Sequence, residues 1–337
     1  MFSNITVAPA PHIDERLSTR RIMADVVIAL LPAMVAAGYY FRVYGLVLII
    51  VCVAWSMATE WVCNLLRKKP NSLTDYSAVV TGIILALSLP PALPLWAAAI
   101  GSIFAISIGK MVFGGLGANI FNPAMVGRAF LTASFGLLMT TWTVPATIDP
   151  QMSTIGPAKM LDARTQATPL AWSKTAIKKE LNAKVYAKEQ ITPAFTGEVG
   201  GCTGETSAIA LLLGGLYLLL KRTIDPRIPL AVLLSAFIFA SIFYFLNPDS
   251  YVNPFFHLTT GGLLLGAFFI ATDPVTAPLT IKGKWIFGVI IGTLTMLIRI
   301  AGEYPEGVMY AVLLGNSVRP LIDRFCTPIP AGGKPRA

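Results

Sequence analysis

The stretch IMADVVIALLPAMVAAGYYFRVYGLVLIIVCVAWSMATEWVCNLL, residues 22–66, contains two apolar segments separated by Arg42. Each segment has the length of about 20 residues that an α-helix needs to cross the hydrocarbon core of a membrane. Similar segments recur almost to the C-terminus, between short stretches rich in Pro, Gly and charge. With 55% hydrophobic and 13% charged residues, a water-soluble chain would lack the polar surface to cover itself. The sequence therefore predicts a membrane protein.

The apolar segments predict an all-α polytopic membrane protein with about ten transmembrane helices. They lie near 22–40, 46–66, 76–90, 95–113, 124–142, 206–220, 228–246, 258–272, 285–300 and 307–320. The predicted organisation is an N-terminal tail at 1–21, a first five-helix half at 22–144, a long polar loop at 145–204, a second five-helix half at 205–320 and a C-terminal tail at 321–337.

The basic residues are distributed unequally between the two sets of loops. If the N-terminus is cytoplasmic, most Lys and Arg fall in cytoplasmic segments, whereas the short outer loops hold only Arg42 and Arg299. Cytoplasmic loops are enriched in Lys and Arg. We therefore predict a multi-pass protein of the bacterial cell inner membrane with both termini cytoplasmic and the 145–204 loop periplasmic. The net charge of +9 then reflects topology and contact with lipid, and no nucleic-acid partner is expected.

The two halves would cross the membrane in opposite directions, so an inverted repeat is possible. The segment at 81–96, TGIILALSLPPALPLW, resembles TGGLLLGAFFIATDPVTAPLTIKGKW at 260–285, and GGLGANIFNPAMVGRA at 114–129 resembles AGEYPEGVMYAVLLGNSVRP at 301–320. Chance similarity between membrane helices is the alternative. Unwound backbone in a membrane is tolerated where it lines a cavity or is buried in protein. We therefore expect the breaks at 90–91, Pro-Pro, and 273–274, Asp-Pro, to mark binding points.

A short polar segment in the long loop has a pattern that indicates chemistry. LDARTQATPL at 161–170 places Asp162, Thr165, Ala167 and Thr168 in the spacing D-x-x-T-x-A-T. A small hydroxyl in an exposed, flexible loop can be presented to a modifying enzyme, and Ala167 leaves space beside it. A polar turn with ordinary Thr residues is the alternative interpretation.

This pattern resembles the D-x-x-[ST]-G-A-[ST] signature at which a flavin transferase joins FMN, through its phosphate, to the last hydroxyl. Gln166 stands where the signature has Gly. Pro169 disfavours a regular helix through the site. By this resemblance, Thr168 is the attachment residue.

Four longer segments, in the same order and spread over nearly the whole chain, resemble one family. They are FNPAMVGRAF at 121–130, GETSAIALLLGG at 204–215, ATDPVTAPLT at 271–280 and IRIAGEYPEGVMYAVLLGN at 298–316. The family contains the D subunit of the Rnf complex and the B subunit of the sodium-translocating NADH:quinone oxidoreductase. The short N-terminal tail favours the Rnf member, because the B subunit generally has a longer extension.

The resemblance implies a covalent FMN in phosphoester linkage to Thr168, and it allows a second, noncovalent flavin such as riboflavin. Asp162, Thr165 and Ala167 belong to the same cofactor-binding motif. The implied partners are other Rnf subunits, which carry iron–sulfur clusters and another FMN, and a flavin transferase for maturation. The chain would transfer electrons coupled to Na+ or H+ translocation within that complex, and it would not be catalytic alone.

Ionisable residues in apolar stretches are costly and often functional. Asp25 and Glu60 lie inside the first two predicted helices and are candidates for an ion path. A buried pair or a bond to backbone is their alternative role. Glu205, at the start of the sixth helix, is a candidate for flavin contact or for a helix cap. Other ionisable residues lie near helix ends, where they can reach the headgroups: Lys110, Arg128, Asp273 and Arg299.

The cysteines do not have the spacing of a metal site. Cys52, Cys63, Cys202 and Cys326 form no C-x-x-C pair, so no metal or iron–sulfur site is expected from this chain alone. The main alternative function is a secondary transporter or small-solute channel with inverted repeats. A structural membrane anchor is a third possibility. The 145–204 loop favours the redox subunit, because neither alternative requires the D-x-x-T-x-A-T segment.

Overall fold

The computed structural model describes residues 18–143, 145, 168–178, 192–193, 195–205 and 207–327. All regular secondary structure in these residues is helical. Asp162, Thr165 and Ala167 lie outside the described residues, as does most of the predicted 145–204 loop.

Five helices make up the first half. They are α1 at Thr19–Leu66, α2 at Ser77–Leu87, α3 at Leu95–Ile106, α4 at Pro123–Ser134 and α5 at Gly136–Met139. A 3₁₀ turn at Leu73–Asp75 precedes α2, and α3 continues into a π-helical turn at Ser107–Met111. The helix α6, at Pro169–Lys178, lies between the halves in sequence.

The described residues of the second half form six helices, two of them very short. They are α7 at Ala208–Leu220, α8 at Arg227–Leu246, α9 at Pro254–Thr259, α10 at Leu263–Leu265, α11 at Ile281–Ala301 and α12 at Val308–Phe325. A π-helical turn at Gly266–Ile270 follows α10.

Every predicted apolar segment coincides with helical structure, but the segments differ in continuity. The helices α1, α8 and α11 are long and apolar enough to cross a membrane, whereas α2, α7 and the Leu95–Met111 helix are apolar but shorter. The 48-residue α1 holds the first two segments, and the backbone of Arg42 breaks it with φ 56° and ψ −148°. The predicted helix at 258–272 is instead divided among α9, α10 and the π turn, because Gly261 turns the chain with φ +71°.

The two halves share one apolar core. The helix α1 packs against α2 and α3, and α8 packs against α9 and α11. Across the boundary between the halves, α1 packs against α7, and α4 packs against α12. The core cluster accordingly draws buried side chains from both halves. Any cavity at this boundary is therefore lined by residues distant in sequence.

The contact between α1 and α7 is a close backbone approach at Gly214. A Cβ atom there would overlap the backbone oxygen of Ala29 and the ring of Phe269. We expect Gly214→Ala to lower the stability of the purified chain by about 1–3 kcal/mol or more, because a backbone oxygen cannot move out of the way as a side chain can. Thermal unfolding in detergent measures this.

Gly136→Ala is the matched control, because no atom lies within 4 Å of a Cβ built at Gly136. Equal melting temperatures for the two variants would contradict the close approach of α7 to α1.

Candidate functional site

Thr168 is the N-cap of α6. Its Oγ1 accepts a hydrogen bond from the backbone N–H of Ala171 at 3.1 Å. Pro169 is the first residue of the helix, a position where its missing N–H costs nothing. The expectation that Thr168 lies exposed in a loop is wrong, since its side chain is only 9% exposed. The physical reason is that α6 packs through Leu170 against Phe256 of α9.

A small cavity lies beside Thr168. Segments from both halves of the chain line it, including Trp142, Thr168, Val199, Glu205, Gly261 and Glu306. The 195–205 segment is fixed to the end of α2, because the N–H of Thr203 donates to Leu89 O at 2.9 Å and that of Gly204 to Leu87 O at 2.8 Å. We call this space the Thr168 cavity.

Two buried guanidinium–carboxylate pairs border the Thr168 cavity. Arg128 Nη1 lies 3.7 Å from Glu205 Oε1, and Arg299 Nη2 lies 3.1 Å from Glu306 Oε1. Arg299 also donates to the backbone oxygens of His257 at 2.6 Å and Thr260 at 3.1 Å. Four charged side chains therefore lie together beside the cavity. The positive charges of Arg128 and Arg299 balance the negative charges of Glu205 and Glu306.

Each of the two carboxylates keeps one oxygen without a hydrogen bond. Glu205 Oε1 and Glu306 Oε2 accept none from the residues that the structure describes. Glu205 precedes α7, outside the membrane-spanning helices, and burial raises its pKa to about 7. The negative charge of Glu306 contributes to this rise, and Arg128 opposes it. Glu205 can therefore change its protonation state near neutral pH.

The candidates for an ion path lie elsewhere and apart from each other. Glu60, which is fully buried, accepts hydrogen bonds from Lys110 Nζ at 2.7 Å and from Ser72 Oγ at 2.5 Å. Asp25 accepts hydrogen bonds from Tyr217 at 3.3 Å and Thr223 at 3.4 Å. Glu60 thus has the buried partner that was its alternative role, and Asp25 lies near the end of α7.

A larger cavity lies at the boundary between the halves. Its lining includes Lys110, Asn119, Asn122, Phe269, Asp273 and Pro274, so the predicted break at 273–274 borders a cavity. Asn119 Oδ1 accepts no hydrogen bond from the described residues. We call this space the boundary cavity.

The structure brings together only some of the residues that the sequence singles out. Thr168 and Glu205 line one cavity, whereas Asp25 and Glu60 lie in separate polar clusters. Glu306 was not predicted as a site residue. The only sequence signal for it was a carboxylate in a Gly- and Pro-containing turn before the last apolar helix.

The apolar helices, the close helix packing and the charged clusters buried between helices define a helical membrane protein. The chain belongs to the NQR2, RnfD, RnfE family, whose sequence model matches residues 6–332.

Related proteins align with this chain over nearly its whole length. The D subunit of the Na(+)-translocating ferredoxin:NAD(+) oxidoreductase complex of Acetobacterium woodii is 45% identical over 96% of this chain and 93% of its own length. The D subunit of the proton-translocating ferredoxin:NAD(+) oxidoreductase complex of Clostridium ljungdahlii is 42% identical over 97% and 96%. The D subunit of the ion-translocating oxidoreductase complex of Stutzerimonas stutzeri is 41% identical over 95% of both chains.

Proposed function

We propose that the chain is the D-type membrane subunit of an Rnf-type complex, in which it carries FMN covalently at Thr168 and transfers electrons coupled to Na+ or H+ translocation. Its partners are the other Rnf subunits, and a flavin transferase matures it. Its relatives are named as D subunits of ion-translocating oxidoreductase complexes, which supports the proposal that this chain is a subunit of such a complex. The observation that supports flavin attachment is the position of Thr168, whose hydroxyl caps a helix at the edge of a cavity.

The residues around Thr168 fit a flavin phosphoester. The N-terminus of α6 is the positive end of a helix dipole, which favours a phosphate on Thr168. In the Thr168 cavity, Glu205 Oε1 offers an acceptor for a ring N–H. Bound there, the isoalloxazine would supply the electron transfer, while the chain supplies position and electrostatics.

The mass of the purified chain tests the proposal. The phosphoester replaces the hydroxyl proton of Thr168, so we expect an increment equal to FMN less one water. A chain without this increment, purified from cells that make the flavin transferase, would favour the transporter or channel alternative.

The boundary cavity is our candidate for the second, noncovalent flavin. The amide of Asn119 and the ring of Phe269 offer hydrogen bonding and an apolar surface for a flavin ring. Flavin released from the denatured chain without proteolysis, in addition to the covalent FMN, would identify it.

The carboxylate of Asp25 is proposed to lie on the ion path. It is buried, and the hydrogen bonds that it accepts from described residues are two long ones from neutral hydroxyls, so its charge has no fixed cation among these contacts. We expect Asp25→Asn to leave covalent FMN unchanged and to lower the ion gradient formed per electron. Ion uptake and electron transfer measured in the same proteoliposomes, with Asp249→Asn as the exposed control, test this. Unchanged coupling would remove Asp25 from the path.

The proposed orientation places α6 in the periplasm and both termini in the cytoplasm, with the two halves inverted. Its support is the distribution of basic residues. A single Cys in place of Lys178, in a chain without the native cysteines, should react with an impermeant thiol reagent in intact cells. Labelling only after the membrane is broken would contradict this orientation.

A further inference from the structure

The carboxylates of Glu205 and Glu306 face one small space from two sides. A Cβ atom built at Gly262 would lie 2.9 Å from Glu205 Oε1 and 3.5 Å from Glu306 Oε2. These are the two carboxylate oxygens that accept no hydrogen bond from the described residues. Because Gly262 has no side chain, the space between them remains open, and a carboxylic acid proton or a bridging water can occupy it.

The side chains around Glu205 and Glu306 nearly neutralise the charge of these two carboxylates. Arg128 from α4 and Arg299 from α11 each lie beside one carboxylate, and the Cys202 thiol faces Glu205. Other titratable side chains near these groups, among the described residues, include His257 of α9, beside Arg299, and Tyr304 and Tyr310, which line a cavity with Arg128 and Glu306. With both carboxylates ionised, the two guanidinium groups balance them. A further negative charge in the cavity would be uncompensated.

We propose that Glu205 and Glu306 form a proton-binding site that takes up one proton when a flavin linked at Thr168 is reduced. The inference rests on the proposed function, and its geometric basis is that Thr168 and both carboxylates line the same cavity. Glu205 takes the proton from water as electrons from an iron–sulfur or flavin centre of a partner subunit enter the flavin. The proton compensates the added negative charge, which is costly in a site of low dielectric.

The pH range of this uptake follows from the environment of Glu205. Burial raises its pKa to about 7, so above pH 7 the oxidised protein holds Glu205 mainly ionised. Negative charge added in the cavity raises the pKa further, and the carboxylate then binds a proton. Well below pH 7 the group is already protonated, so reduction should change nothing there.

Infrared difference spectroscopy tests the proposal on the purified full-length chain with its covalent flavin. Reduction by dithionite at about pH 8, one unit above the pKa of Glu205, should produce the C=O band of a protonated carboxylic acid. The band should shift in D2O and disappear from the difference spectrum at about pH 5.

Three variants assign the band. Glu205→Gln should abolish it. Gly262→Ala, which keeps every charge, should shift or weaken it because the methyl group fills the space between the oxygens; its φ of −76° suits alanine. Asp249→Asn, which changes an exposed carboxylate, should leave it unchanged.

The outcomes separate this inference from the proposed function. If the wild-type chain carries covalent flavin but shows no acid band on reduction, or if the band persists in Glu205→Gln, the proton site is wrong and the attachment at Thr168 stands. If the wild-type chain carries no covalent flavin, both fail. Should Glu205→Gln not accumulate, the wild-type pH series and Gly262→Ala decide: a band that neither pH nor the methyl group alters overturns the proposal.

Discussion

Thr168→Ala is expected to abolish covalent flavin completely, because it removes the only oxygen to which the phosphoester is proposed to attach. Thr168→Ser keeps a nucleophilic hydroxyl and should retain attachment. Flavin fluorescence of the denatured chain in a gel, together with its mass, measures both.

The alanine variant also removes the N-cap of α6, since Oγ1 accepts the N–H of Ala171. Loss of such a cap costs about 1 kcal/mol. Thr168→Asn is therefore the matched control, because asparagine caps helices well but offers no hydroxyl for a phosphoester. It should fold as the wild type does and lack covalent flavin. Fluorescence that persists in Thr168→Ala would contradict the assignment and make Thr165 the next candidate.

Glu60→Gln is expected to destabilise the chain strongly, because it leaves the ammonium group of Lys110 buried without its counter-charge. Both side chains are almost fully buried, at 0% and 1% exposure, and their charged atoms are 2.7 Å apart. Removing one partner of a buried ion pair costs about 3–5 kcal/mol. The amount of folded chain and its melting temperature in detergent measure the loss.

The double variant Glu60→Gln/Lys110→Met removes both charges and should recover most of the stability, since a buried pair replaced by uncharged side chains is often neutral. This comparison also tests the proposed ion path. If Glu60→Gln is as stable as the wild type but forms a smaller ion gradient per electron, Glu60 serves ion movement. If stability falls and returns in the double variant, its role is structural.

The positions of the helices could be predicted because length and apolar composition determine where a chain can cross a membrane. The break at Arg42 between the first two helical segments agrees with that prediction. The division of 258–272 into short pieces could not be predicted, because it depends on the backbone angles of a single residue, Gly261. At Gly261 a side chain would overlap Glu306, so the turn is coupled to a carboxylate more than 40 positions away.

The site was only partly predictable for a related reason. The composition of the apolar stretches singles out Asp25 and Glu60 as charges inside helices and places Lys110, Arg128, Glu205 and Arg299 near helix ends. It does not determine which of them meet, because the rotation of each helix depends on packing against the others. The sequence therefore indicates a cap or a flavin contact for Glu205, whereas the structure places it between Arg128 and Glu306.

The burial of Thr168 has a consequence for the biogenesis of the protein. Thr168 is a buried residue whose hydroxyl is already engaged as a helix cap, which hinders access by a transferase. Under the proposed function, the flavin must be added before α6 settles against Phe256, or during an opening of that contact. Modification would then be tied to the order of assembly, and a chain that folds before it is modified would gain its cofactor only as fast as that contact opens.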